Sequence, residues 1–260
     1  MPENILQTIA ASRKKQIEEL KISHPLDKEA LKNRPAPPDF YQALAKEKLS
    51  YICECKKASP SKGLICPDFD PVSLAKQYEQ AGASAISVLS EPSYFLGSDE
   101  YVKQVAQAVS IPVLRKDFVL DEYMILQAAE LGASAILLIV ALLSFEQLQS
   151  YIALCHELHL EALVEAHDEQ EVKTAIAAGA RVLGVNNRNL KDFSVDMNNS
   201  IRLRNLAGPE ILFVSESGIK NNADIQKLKD NHMDAVLIGE TLVRSSNIAQ
   251  TLVELNGGAL

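Results

Sequence analysis

The chain has 260 residues, 47% of them hydrophobic and 23% charged, with a formal net charge of −8. That is enough apolar material for a full core, which excludes a disordered or low-complexity chain. The acidic balance argues against a nucleic-acid coat or a basic membrane-surface protein, yet a local basic cluster could still receive a small anionic substrate.

The opening residues, MPENILQTIAASRKKQ, carry Glu3 and lack the apolar stretch of a signal peptide. Within ILQTIAASRKKQIEEL, Ile5, Ile9, Ile17 and Leu20 recur on related turns, which predicts an amphipathic helix. RPAPPDF then forces an extended connector. Residues 1–48 thus read as a helical extension, and its helix is expected to plug one end of the domain that follows.

From residue 49 a pattern recurs about every fifty residues: AGASAISVLS at 81–90, LGASAILLIV at 131–140, AGARVLGVNN at 178–187 and, more weakly, NHMDAVLIGE at 231–240. In each of the first three, Gly suits the left-handed end of a helix and a β-rich run follows. LSYICEC, IPVLRKDF, LEALVEA and EILFVSESG lie between the copies. Together these give strands near 51, 85, 112, 135, 161, 182, 211 and 235. They are short apolar runs without clean alternation, as strands buried on both faces should be. DPVSLAKQYEQAG, SDEYVKQVAQAVS, DEYMILQAAELG and SFEQLQSYIALCHELH have apolar residues at helical spacing, with Asp or Ser near each start as a cap. Eight strand–helix alternations predict a (β/α)8 barrel of class α/β over residues 49–260. A doubly wound open sheet is the alternative, weakened by the lack of GxGxxG after the first strand. The longest apolar run, 133–143, falls short of the roughly 20 residues a membrane helix needs. The expectation is a soluble, cytoplasmic protein.

In such a barrel the chemistry collects at the C-terminal strand ends. In chain order these ends deliver Glu54 and Lys56, Glu91, Lys116, the apolar Leu137, Glu165, Asn186 and Arg188, then Glu216, Ser217 and Gly218, and last Gly239. Alternation sorts ICECK into two sets. If Ile52, Glu54 and Lys56 face the barrel interior, then Tyr51, Cys53 and Cys55 face the helices. The four cysteines, 53, 55, 66 and 155, show neither a disulfide framework nor a paired metal motif, and buried cysteine packs as a small hydrophobe. Ser217-Gly218 and Gly239 after adjacent strands suggest a phosphate site built from backbone N–H groups.

The stretches ECKKASPSKG, LSEPSYFLGS, LRKDF, LLIVALLS, LVEAHDEQE, GVNNRNL, VSESGI and LIGETL occur in order over 51–242. Together they resemble the indole-3-glycerol-phosphate synthase family. The resemblance implies a carboxy-lyase of tryptophan biosynthesis. Its substrate would be 1-(2-carboxyphenylamino)-1-deoxyribulose 5-phosphate, a small anionic molecule. Ring closure on the carbonyl carbon, decarboxylation and dehydration would yield indole-3-glycerol phosphate, with no metal or organic cofactor.

The same resemblance makes Lys116 the general acid, provided crowded cations or burial lower its pKa. Glu165, Glu54 and Lys56 become candidates for the remaining proton transfers. Lys56 would also hold the substrate carboxylate and Asn186 the reacting centre, while Arg188 with Glu216 would order the site. Ser59, Ser217, Gly218 and Gly239 would bind phosphate, and Phe95, Phe118 and Leu137 would line an aromatic pocket. KKASPSKG reads as a loop that closes over substrate. A monomer or weak homo-oligomer is expected, with neither nucleic acid nor membrane as partner. The competing readings are phosphoribosylanthranilate isomerase, a Schiff-base aldolase using a barrel lysine, and a non-catalytic barrel.

Overall fold

The computed structural model describes residues 5–189 and 193–258. Glu3 and the last residue of GVNNRNL, Leu190, lie outside them. Eight strands form a closed barrel, each parallel to both neighbours. They are β1 Ser50–Cys55, β2 Ala85–Leu89, β3 Val113–Lys116, β4 Ala135–Ile139, β5 Glu161–Ala166, β6 Val182–Asn186, β7 Leu212–Glu216 and β8 Ala235–Ile238. All eight predicted strands are present, and closure excludes the open sheet.

The helices between them begin where the sequence places caps. Asp70, Ser98, Asp121 and Ser144 each accept a backbone N–H in the first turn of α4 (Pro71–Gln80), α5 (Asp99–Ala108), α6 (Glu122–Glu130) and α7 (Phe145–Glu157). The barrel wall continues with α8 (Glu169–Ala177), α9 (Asn198–Arg204), α10 (Asn222–Asp230), α11 (Glu240–Val243) and α12 (Ile248–Asn256). Gly82, Gly132 and Gly179 all have φ between +82° and +96°, so the recurring glycine is the left-handed exit from a helix. His232 takes that role in the weakest copy, at φ +57°.

Alternation divides β1 as expected. Ile52 lies in the interior cluster, whereas Tyr51, Cys53 and Cys55 pack among the surrounding helices. Burial pushes the Cys53 and Cys55 thiols well up, which leaves them as packing groups.

The extension departs from its predicted plan. Its first helix, α1 (Ile5–Ser23), lies along the C-terminal strand ends, where Ile5, Leu6 and Ile9 line a cavity. Two short helices follow, α2 (Lys28–Lys32) and α3 (Phe40–Leu44). The plug is α3. Phe40 and Leu44 join the interior cluster near the strand starts, and Ser50 Oγ donates to the Leu44 carbonyl at 3.2 Å. The connector between them is pinned by Arg34, which donates to the carbonyls of Ala129, Ala133 and Leu158. Among the described residues no helix is long and apolar enough to cross a membrane.

Candidate active site

The parallel register aligns the C-terminal strand ends on one rim. It sets Asn186 beside Glu216, Ile139 beside Glu165 and Leu89 beside Lys116. All fourteen residues predicted for the site line one cavity of about 600 Å3.

At its floor Lys116 Nζ stands 3.7 Å from Glu54 Oε1 and 3.8 Å from Glu216 Oε2. Lys56 Nζ approaches Glu54 Oε2 at 2.5 Å. Glu165 Oε1 receives Asn186 Nδ2 at 3.4 Å and lies 3.3 Å from His167 Nε2. Asn186 is itself oriented, because its Oδ1 accepts the Arg188 N–H at 3.0 Å.

One wall is aromatic. Phe95 and Phe118 lie 5.9 Å apart between ring centroids and tilt by 39°. Two buried carboxylates fix that wall from behind. Glu91 accepts the N–H groups of Ser93, Tyr94 and Phe95, so this strand-end carboxylate serves the loop and stays out of the cavity. Asp117 accepts the Phe118 N–H at 2.8 Å and is gripped by Arg13 of α1 at 3.0 and 2.6 Å.

The opposite wall holds Ser217 and Gly218, with φ of +67° and +92°. Asn187 Nδ2 steadies that turn by donating to the Ser217 carbonyl at 3.1 Å. Nearby, Gly239 opens α11, and a side chain there would press against the Glu54 carboxylate. Lys62, Lys220 and Arg244 add positive charge around this wall.

The charges are strongly coupled. Burial opposes ionisation of Glu54, yet Lys56 and Lys116 together hold its carboxyl below the usual range. Burial also opposes the Lys116 ammonium, but Glu54, Glu216 and Glu165 outweigh it and raise its pKa. The expected lowering of Lys116 is therefore not observed, because anions crowd it where cations were anticipated. Glu216 is pushed up to about 8 by burial and by the Glu165 charge. Glu165 is held down to about 2, as His167, Lys116 and Asn186 overcome its burial. Arg188 and Glu216, both on the cavity wall, have separate partners among the described residues. Arg188 Nη1 donates to the Phe193 carbonyl at 3.3 Å, and the cation near Glu216 is Lys116.

Sequence reasoning missed several contributors. Gly184 sits in mid-β6, where a Cβ would strike the Glu216 carboxylate; an isolated glycine inside a strand was the available signal. His167 stands two residues after Glu165 in LVEAHDE and went unassigned. Ile5 and Ile9 were recognised as a helix face, though not as cavity wall.

Fold and site together define a (β/α)8 barrel whose C-terminal strand ends gather lysine and carboxylate side chains in one cavity. The family model for indole-3-glycerol phosphate synthase matches residues 6–255. The indole-3-glycerol phosphate synthase of Ruminiclostridium cellulolyticum is 54% identical over 259 residues, covering 98% of this chain and 100% of that protein. Those of Endomicrobium trichonymphae and Desulfotalea psychrophila are 48% and 49% identical over 96% and 97% of this chain, and over 99% and 98% of their own lengths. The chain belongs to the indole-3-glycerol phosphate synthase family. It is a carboxy-lyase of tryptophan biosynthesis that closes, decarboxylates and dehydrates 1-(2-carboxyphenylamino)-1-deoxyribulose 5-phosphate. Solved structures add the fold alone. Thiamine phosphate pyrophosphorylase from Pyrococcus furiosus superposes with a TM-score of 0.62 at 14% identity, over 84% of this chain and 96% of that one. An N-acetylmannosamine-6-phosphate 2-epimerase from Clostridium perfringens gives 0.61 at 13%, over 78% and 92%.

Proposed function

We propose the following division of labour at this site. The substrate's carboxyphenyl ring lies against Phe95, Phe118 and Leu137. Its phosphate lies against Ser59, Ser217, Gly218 and Gly239, where backbone N–H groups can approach closely. Lys56 receives the carboxylate. Lys116 protonates the carbonyl oxygen as the ring closes. Its raised pKa is compatible with that task, because the alkoxide that develops is more basic than an amine. Asn186 hydrogen-bonds the reacting centre, and Arg188 and Glu216 help to hold the substrate.

After carbon dioxide leaves, the hydroxyl departs as water and the carbon beside the nitrogen loses its proton. Glu165 takes that proton, being the cavity carboxylate held most firmly ionised. Glu54 and Lys56, in contact at 2.5 Å, supply the proton for the departing water. The observation that carries this reading is the convergence on one cavity of an aromatic wall, a Ser-Gly wall and a floor of Lys116 among three carboxylates.

An indole fluorescence assay with 1-(2-carboxyphenylamino)-1-deoxyribulose 5-phosphate tests it. Product is expected from the unaltered chain, and Glu165→Gln is expected to reduce turnover at least a hundredfold. Turnover near normal in that variant would reject the assignment of the base. The extension 1–48 and the barrel 49–260 act as one catalytic unit in this reading, since α1 contributes Ile5, Leu6 and Ile9 to the cavity. We place the enzyme in the cytoplasm as a monomer or weak homo-oligomer, a state that light scattering after size exclusion would read directly.

A further inference from the structure

Glu165 and Glu216 both feel the Lys116 charge, yet their surroundings are opposite. Both oxygens of Glu216 are buried, and among the described residues none donates a hydrogen bond to either. Its nearest cation, Lys116 Nζ at 3.8 Å, is shared with Glu54 at 3.7 Å. The charged groups around Glu216 are Glu165, Lys116, Glu54 and, from behind Glu165, His167.

Glu165 has supports of its own. Asn186 Nδ2 lies 3.4 Å from Oε1, and His167 Nε2 lies 3.3 Å from the same oxygen. The imidazole is held from its other side by Glu171 of α8. That carboxylate is 3.1 Å from His167 Nδ1 and accepts the His167 backbone N–H at 2.8 Å. From α9, uncharged Asn199 donates to the His167 carbonyl. The ring therefore lies between two carboxylates, one inside the barrel and one on its outer layer.

We propose that His167, oriented by Glu171, determines which of the two interior carboxylates is ionised, keeping Glu165 as the proton acceptor and leaving Glu216 protonated. His167 is a positioning residue, because it is absent from the cavity wall and acts through Glu165. Two buried carboxylates beside one shared lysine cannot both ionise cheaply, and a cation reserved for one of them decides the matter. The proton affinities agree. Glu165 and Glu171 outweigh burial and raise His167 to about 10, while Glu165 falls to about 2 and Glu216 rises to about 8.

Substrate binding makes this arrangement consequential. The substrate adds a carboxylate and a phosphate to the mouth, which raises the proton affinity of every carboxylate that faces it. His167 stands behind Glu165, so its charge stays with Glu165 when the cavity fills. In the dehydration step the C–O bond breaks and the oxygen leaves with a second proton as water. The C–H electron pair becomes the ring double bond, and Glu165 accepts the released proton.

This inference rests on the assignment of Glu165 as base, and the test separates the two. The pH dependence of kcat would be measured for the wild type and for Glu165→Gln, His167→Gln and Glu171→Gln. Glu165→Gln should lose turnover throughout. His167→Gln should keep KM within about twofold and show an acid limb of kcat moved up by about one pH unit. The sign follows from losing a cation beside Glu165, which then protonates more readily. Glu171→Gln keeps an acceptor for the backbone N–H and should move the same limb in the same direction by less. It decides alone if His167→Gln fails to fold. An unmoved acid limb in the folded variants, with Glu165→Gln inactive, overturns the role of His167. Activity retained by Glu165→Gln overturns the base assignment, and this inference with it.

Discussion

The two ends of the barrel are built from the same eight strands and serve opposite purposes. At the strand starts the interior is apolar: Ile52, Leu114, Leu163 and Leu212 alternate with the smaller Ala85, Ala135 and Ala235, and Phe40 and Leu44 of α3 close the end. At the strand ends the interior holds the buried Glu54, Glu165 and Glu216 around a half-buried Lys116. Both Glu216 oxygens lack a hydrogen-bond donor among the described residues, so burying this carboxylate costs stability. The difference teaches that one end supplies the free energy that holds the other in a strained electrostatic state. Mutations at the two ends should therefore fall into different observables.

The largest expected effect is at the closed end. Phe40→Ala removes a side chain that is 1% exposed and should cost about 3 to 5 kcal/mol, read as a lowered denaturant midpoint. KM should stay within about twofold at temperatures where the variant is folded. A folded Phe40→Ala protein without turnover would show that the ends are not separable. Next comes Lys116→Ala at the open end, where a cooperative unfolding transition should persist while the barrier to reaction rises by about 3 kcal/mol or more. Near-normal indole fluorescence in this variant would remove Lys116 from the mechanism.

Glu216 links the two observables through pH. Its proton affinity is raised in the folded state, so its contribution to stability is complete below the unfolded value of about 4.3 and is lost as pH rises through about 8. Glu216→Gln cannot titrate. Relative to the wild type it should gain stability steadily as pH rises from about 4.5 to 8 and level off above. Urea titrations at four or five pH values would show it. A constant difference across that range would mean that Glu216 is ionised throughout.

Much of this contrast was legible in the sequence, for reasons that particular residues make plain. All eight strands could be placed because runs such as AILLI and VLGVN are buried on both faces. The caps Asp70, Ser98, Asp121 and Ser144 announced four helices. Strand alternation separated Glu54 from Cys53 and Cys55 before any contact was known. What escaped depends on closure. The three carboxylates around Lys116 come from β1, β5 and β7, and no local pattern says that they converge on a β3 lysine. Its charge environment was therefore misjudged. In the extension the long, periodic helix is α1, whereas the plug, α3, is five residues and acts through two side chains, too short a run to show periodicity. Gly184 takes its meaning from the Glu216 carboxylate on the neighbouring strand.

The two ends also differ in their loops, and this yields the smallest expected effect. At the closed end the chain turns tightly through left-handed Gly82, Gly132 and Gly179. At the open end the segment after β1 makes a two-residue antiparallel ladder of its own, Ala58–Ser59 with Gly63–Leu64. Ser59, Pro60, Ser61 and Lys62 face the cavity, while the Lys62 side chain is 47% exposed. A short ladder with few buried contacts opens at little cost, so trypsin should cut after Lys62 before any site at the closed end. An anionic substrate analogue that bridges Lys56 and the Ser217–Gly218 wall would place this loop over bound ligand. Cleavage after Lys62 should then slow several-fold, as mass spectrometry of timed digests would record, with cleavage elsewhere unchanged. Equal protection at both ends would point to general stabilisation by the ligand, and no protection would mean that the loop does not close over it.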